Sequence, residues 1–205
     1  MDLLGLDLGQ RQDHTAMVLL TRVAETEGGY DHVRWAQPVV KRMRVLHLAR
    51  LPLGTRYLQV ARKVREVVHR PEVQGRCSVV ADATGVGLPV VEMLRAVDPK
   101  MHVLPVVITG GDEARCGSGV WHVPRRDLLG KMVAAFERGR VRIGRSVPLA
   151  GKLVEEIGNV RGDGRCKGSS HDDLSSHDDL AFALALAVWK AEMGEVGFVG
   201  SGRLL

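Results

Sequence analysis

The chain has 205 residues, 45% hydrophobic and 26% charged, a composition that fits one globular domain with a core of its own, free of disulfide or metal staples. No apolar run nears the ~20 residues that cross a bilayer. The first residues lack the basic start of a secretory signal, three widely spaced cysteines (Cys77, Cys116, Cys166) argue against a disulfide framework or zinc knuckle, and no G-x-x-x-x-G-K-[ST] stretch announces a P-loop motor. The net charge of +5 is unevenly spread, with ten bases against the single acid Glu66 between Arg34 and Arg70; the expected setting is cytoplasmic, with reduced thiols.

The first expected element is a short buried strand, Leu3 to Leu8, apolar on both sides of Asp7. A polar turn leads to a second strand, Thr15 to Val23, rich in residues that suit a pleated surface. A hairpin-like connection with Gly28-Gly29 leads to a third, within His32 to Leu48 and interrupted near Pro38. After Leu53-Gly54-Thr55 a helix begins, with Tyr57, Val60, Ala61, Val64, Val67 and Val68 at helical spacing. Ser78 to Ala81 is a fourth strand that runs through Asp82-Ala83-Thr84-Gly85-Val86-Gly87 into a helix from Leu88 to Ala96; this strand–turn–helix unit implies parallel pairing. A fifth strand (Val103 to Ile108), a helix opened by Pro124 and running to Arg138, a short strand (Arg140 to Ile143) and a helix (Leu149 to Ile157) follow. A glycine- and serine-rich flexible loop over 162–176, a nearly all-apolar and hence buried helix from Asp178 to Met193, and a tail over 194–205 complete the chain. A meander followed by alternating elements is the order of an α/β ribonuclease H-like fold, a mixed sheet flanked by helices in a single domain over 1–205; a doubly wound fold would alternate from the start. The stretch SSHDDL at 169–174 recurs unchanged at 175–180, a local duplication of a kind that loops tolerate.

Three acids stand out by location. Asp7 lies inside an apolar strand, Asp82 at the end of another, and Asp179 in the first turn of an apolar helix. Buried carboxylates are rare unless paired or metal-bound, and three at one site repel unless a cation stands between them. Hard cations such as Mg²⁺ or Mn²⁺ take such oxygen ligands, and two of them can drive phosphodiester hydrolysis. Each acid also has a structural explanation. Asp7 can cap the turn at Gly9, Asp82 can make an Asx turn before the glycines, and Ser176-His177-Asp178-Asp179 fits a capping box.

Gly5-Leu6-Asp7-Leu8-Gly9 with Asp13 and Thr15-Ala16, Val80-Ala81-Asp82-Ala83-Thr84-Gly85-Val86-Gly87, Trp121-x-Val123-Pro124 before a helix, and His177-Asp178-Asp179-Leu180 running into Ala183-Leu184-Ala185-Leu186-Ala187 together resemble the nuclease domain of phage terminase large subunits, of the RuvC-like superfamily. The resemblance covers Leu3 to Trp189. It implies an endonuclease that cuts concatemeric viral DNA during packaging, in the host cytoplasm, with two Mg²⁺ or Mn²⁺ ions held by Asp7, Asp82 and Asp179, and Asp178 and His177 as auxiliary ligands. Related Holliday-junction resolvases carry a second acid on the last helix; in register it falls on Phe182, which cannot ligate. The duplicate His171, Asp172 and Asp173 lacks the apolar helix behind it and ranks lower. Terminase large subunits carry an ATPase before this domain, whereas this chain opens at Met1 on its first strand, as an excised domain or a free-standing relative. A separate ATPase motor, portal or small terminase subunit is the implied partner besides double-stranded DNA.

Arg56, Arg62 and Lys63 on the basic helix, Arg42 and Arg44 on the third strand, and Arg125 and Arg126 in a second basic set can neutralise phosphates without reading sequence. With aromatics at 4%, base stacking is not the main grip. Trp35, Trp121 and Trp189 read as packing residues, His14 as a surface-turn residue and the cysteines as buried hydrophobes. The alternatives are a junction resolvase, a non-catalytic nucleic-acid-binding module, and an actin- or sugar-kinase-like ATP-binding domain, which needs a second D-x-G pair that this chain lacks.

Overall fold

The computed structural model describes residues 1–9, 13–28, 35, 39–73, 76–85, 87–160 and 178–193. The chain runs β1 (Asp2–Asp7), β2 (Ala16–Thr26), β3 (Val39–Arg50), α1 (Tyr57–Val68), β4 (Cys77–Asp82), α2 (Gly87–Val97), β5 (His102–Thr109), β6 (Arg115–Gly117), β7 (Val120–Pro124), α3 (Arg125–Glu137), β8 (Val141–Ile143), α4 (Ala150–Asn159) and α5 (Asp179–Glu192). One mixed sheet has the order β6-β7-β5-β4-β1-β2-β3-β8. The meander β1–β2–β3 is antiparallel, while β1–β4, β4–β5, β5–β7 and β3–β8 are parallel. This is the mixed ribonuclease H-like sheet expected from the element order.

Side chains alternate across a strand, so each strand of the central sheet feeds two cores. Leu4, Leu6, Met17, Leu19, Val79 and Ala81 pack under α1 and α2, against Val60, Val64, Val91 and Leu94. Leu3, Val18, Leu20 and Val80 pack under α3, α4 and α5, against Leu128, Met132, Leu153 and Leu184. Helix α5 is apolar on all sides because it lies between the sheet and its neighbouring helices, and Leu180, Ala181 and Ala183 to Trp189 are all buried. Gly5 makes that seat possible. A Cβ there would stand 1.8 Å from the Ala183 carbonyl oxygen, so only glycine lets the α5 backbone rest on β1.

The hairpin β6–β7 is absent from the sequence expectation. Its strands are short and lack alternation, but Ser118 and Gly119 both have positive φ (51° and 79°) and link Gly117 to Val120, the two-residue turn that favours hairpins. Trp189 is fully buried and meets Trp121 edge-on at 5.4 Å. Trp35 corrects the packing expectation, being 78% exposed, and Cys116 is exposed where Cys77 is buried. The loop over 162–176, the first SSHDDL copy, His177 and the tail over 194–205 lie outside the described residues. Among the described residues, no helix is long and apolar enough to cross a membrane.

Candidate active site

Strand alternation and register bring two of the three acids together. In β1, Leu3 and Gly5 face α5, so Asp7 does too; in β4, Val80 faces α5, and so does Asp82. The parallel register pairs Leu6 with Ala81, which sets Asp7 beside Asp82 at the carboxyl ends of neighbouring strands, about 4.8 Å apart in the sheet. From there the chain leaves β1 for β2 on one side and β4 for β5 on the other, a divergence that opens a crevice at the strand ends. Because α5 rests on β1 at Gly5, its first turn delivers Asp179 to the same edge.

The converging acids act on one another electrostatically. The Asp7 carboxyl is pushed well above the ordinary carboxylate range, first by burial, then by repulsion from Asp82, Asp179 and Asp13, with Arg125 opposing. Asp82 is raised by burial, against two hydrogen bonds from Thr84. The Thr84 amide and hydroxyl donate to Asp82 Oδ1 at 2.8 and 2.6 Å, and the Ile108 amide donates to Thr84 Oγ1 at 2.9 Å. The Asx turn considered for Asp82 is thus present, and it orients the same carboxylate that faces Asp7.

Asp179 is held by residues that sequence reasoning did not single out. Arg50, the last residue of β3, donates from Nη2 to Asp179 Oδ2 at 2.6 Å and to Glu156 Oε1 at 3.1 Å. Glu156 Oε2 accepts from the Leu180 and Ala181 amides at 2.9 and 3.1 Å. A carboxylate from α4 therefore caps α5, whose own N-cap residue, Asp178, makes no side-chain cap bond. Burial pushes the Glu156 carboxyl up to about 7, against the α5 amides and Arg50, which pull it down. Asp179 is raised by burial, with Arg50 opposing and Asp13 adding repulsion.

The β1–β2 turn supplies two further groups. Gly9 allows the chain to fold back on itself, since a Cβ there would lie 2.2 Å from the Asp13 carbonyl oxygen. His14 lies in this turn as expected, half-buried, with its Nδ1 2.7 Å from the Leu51 carbonyl oxygen. Asp178 is buried at the start of α5, and its backbone carbonyl accepts from Phe182.

The proposed phosphate-binding residues divide by location. Arg125, first residue of α3, lines a cleft of about 390 Å³ with Asp82, Thr84, Thr109 and Gly110. Arg56 borders a cleft of about 250 Å³ with Gly9, Asp13 and Thr15. Arg62 and Lys63 are exposed on α1, where Lys63 pairs with Glu66 at 2.6 Å. Arg126 pairs with Asp112 at 2.9 Å. Arg42 and Arg44 are not brought to the acids. They lie about 20–26 Å up β3 from Arg50, where Arg42 pairs with Glu25 (3.0 Å) and Glu27 (2.6 Å) and Arg44 with Glu25.

The donor set at the strand ends is all carboxylate oxygen, and its mutual repulsion suits a hard divalent cation. It is not drawn into a closed cage: among the described residues no three His, Cys, Asp or Glu side chains stand close enough together to hold an ion, and Asp179 is turned onto Arg50.

No protein-family model matches the chain, and no curated protein matches it. Solved structures do. The large terminase nuclease from thermophilic phage G20c is similar over 91% of this chain and 80% of its own, at 19% identity and a TM-score of 0.56. The same nuclease with bound zinc gives 22% identity and 0.53 over 91% and 79%. The human cytomegalovirus terminase nuclease domain, soaked with manganese, gives 12% identity and 0.54 over 91% and 81%. At these identities the likeness establishes the fold: the chain has the ribonuclease H-like architecture of large terminase nuclease domains.

Proposed function

We propose that the chain is a divalent-metal-dependent DNA endonuclease that hydrolyses phosphodiester bonds. The observation that carries this reading is the arrival of Asp7, Asp82 and Asp179 at one end of the central strands, where burial first and then repulsion from the other two acids raise Asp7. The shared fold supports it, and the similar structures include zinc-bound and manganese-soaked nucleases. Asp7 would be shared between two Mg²⁺ or Mn²⁺ ions, with Asp82 and Asp179 each completing one site, and Asp178 and His177 as auxiliary ligands. Bound there, the ions would offset the carboxylate charge, polarise the phosphate and acidify an attacking water.

The protein's own groups prepare the site. Thr84 fixes the Asp82 carboxylate. Glu156 and Arg50 fix the first turn of α5 and one oxygen of Asp179. Arg56, Arg62, Lys63 and Arg126 grip the backbone of double-stranded DNA without reading bases. The biological task that fits is the cutting of concatemeric viral DNA during packaging, alongside an ATPase motor, portal or small terminase subunit. Plasmid digestion with Mn²⁺, Mg²⁺ or EDTA, for wild type and Asp82→Asn, tests the proposal. Cleavage that needs metal and Asp82 is expected; metal-independent cleavage, or equal activity in the variant, would overturn it.

A further inference from the structure

Helix α5 carries Phe182 three residues beyond Asp179, one turn along and on the same side. The Arg125 guanidinium lies over that ring, its Cζ 4.3 Å from the ring centroid. Arg125 is exposed, opens α3 immediately after β7, and shares its cleft with Asp82 and Thr84. It is also close enough to Asp7 to offset part of the repulsion there. A guanidinium on an aromatic face gains stacking and cation–π attraction, and keeps its N–H donors at the rim of the ring. An arginine that merely screened the acids would need no such platform. Here α5 presents an acid and a ring side by side, and the ring holds a cation beside the cleft that Asp82 lines.

We propose that Arg125 is a catalytic residue that donates hydrogen bonds to a non-bridging oxygen of the scissile phosphate, and that Phe182 is its positioning residue. The inference rests on the nuclease reading and deepens it. In the hydrolysis, the water oxygen bonds to phosphorus and gives up a proton to solvent, the bond from phosphorus to the departing sugar oxygen breaks, and that oxygen takes up a proton from solvent. Negative charge on the non-bridging oxygens is greatest between these events, and a pre-aimed guanidinium stabilises it most at that point. Phe182 thus has a use of its own: where an acid would add a ligand, the ring holds a cation for the substrate.

Steady-state cleavage of plasmid DNA with Mn²⁺ tests this, using Arg125→Ala, Arg125→Lys, Phe182→Leu and Phe182→Tyr, with DNA affinity measured in EDTA across a salt series and melting curves to confirm folding. Arg125→Ala is expected to lower kcat about 100-fold while changing DNA affinity little. Arg125→Lys should recover only a small part, because an ammonium neither stacks nor forks. Phe182→Leu should lower kcat about 10-fold with KM unchanged, and Phe182→Tyr should restore most of that loss. If Arg125→Ala moves KM and the salt slope but not kcat, the residue is a backbone grip and the proposal fails. If Phe182→Leu matches wild type, the positioning role fails. An inert wild type, indistinguishable from Asp82→Asn, overturns the nuclease reading and this inference with it; an active wild type with unaltered Arg125→Ala overturns this inference alone.

Discussion

Strand β3 carries arginines at both ends, and their fates differ. At the outer end Arg42 and Arg44 spend their charge on Glu25 and Glu27 of the neighbouring strand. At the inner end Arg50, nearly buried, binds Asp179 and Glu156. A β-bulge separates them. Leu19 and Leu20 of β2 pair with His47 and Val45, leaving Leu46 as the extra residue. Before the bulge Met43 and Val45 face α5, so Arg42 and Arg44 face away; after it Leu48 faces α5, and Arg50 follows. Without the inserted residue Arg50 would point to the α1 side, and Asp179 would lose its counter-charge. One strand thus supplies an outer ionic cluster, in which Arg44 and Glu27 are exposed, and an inner clamp whose acids Glu156 and Asp179 are buried, and the strand register decides which arginine does which.

The largest contrast is in activity. Asp179→Asn, at the end of the clamp, should cut metal-dependent plasmid cleavage by more than about 100-fold, while Arg42→Ala with Arg44→Ala should leave the rate near wild type; equal losses would erase the distinction between the two ends. In stability, Arg50→Ala leaves the buried Asp179 without its counter-charge and should cost about 3–5 kcal/mol in denaturant titration. Glu156→Ala leaves two α5 amides without their acceptor and should cost about 1–3 kcal/mol, whereas Arg44→Ala, at an exposed side chain, should fall within the error of a melting curve. The clamp also has a pH signature. Because the Glu156 carboxyl is raised from 4.5 to about 7, the native state holds a proton that the unfolded chain has released. Stability from this group is complete below pH 4.5 and is lost as pH rises through about 7. Glu156→Gln should flatten that slope in chemical denaturation measured with EDTA; an unchanged slope would assign it to the other raised carboxyls. The smallest effect concerns DNA affinity: Arg62→Ala and Lys63→Ala should each lower the salt slope by about 1, and Arg42→Ala should not.

The acids were legible in the sequence because a carboxylate at the end of an apolar strand is conspicuous, and strand order alone brings Asp7 and Asp82 together. The clamp was not. Arg50 lies 106 residues from Glu156 and 129 from Asp179, and in one dimension it is one base among ten. In the sequence Glu156 is one of two adjacent acids on the helix expected from Leu149 to Ile157; only the packing of α4 against the start of α5 gives it two amides to cap. The bulge shows in the hydrophobic pattern only as the adjacent apolar pair Val45-Leu46, where the alternation of Met43 and Val45 changes phase to Leu46 and Leu48, and unless that pair is read as a bulge Arg42 and Arg44 cannot be told from Arg50. The β6–β7 hairpin was marked only by Ser118-Gly119, a two-residue turn between strands too short and mixed to show alternation. Charge counts located the basic quarter of the chain, but register determined what its arginines touch.

The account turns on whether the carboxylates at the ends of β1 and β4 hold divalent ions. Calorimetric titration of Mn²⁺ into the folded wild type and into Asp7→Asn addresses this without DNA. The account predicts two ions per wild-type chain and neither in the variant. A folded wild type that takes up no Mn²⁺, or undiminished uptake by Asp7→Asn, would contradict it.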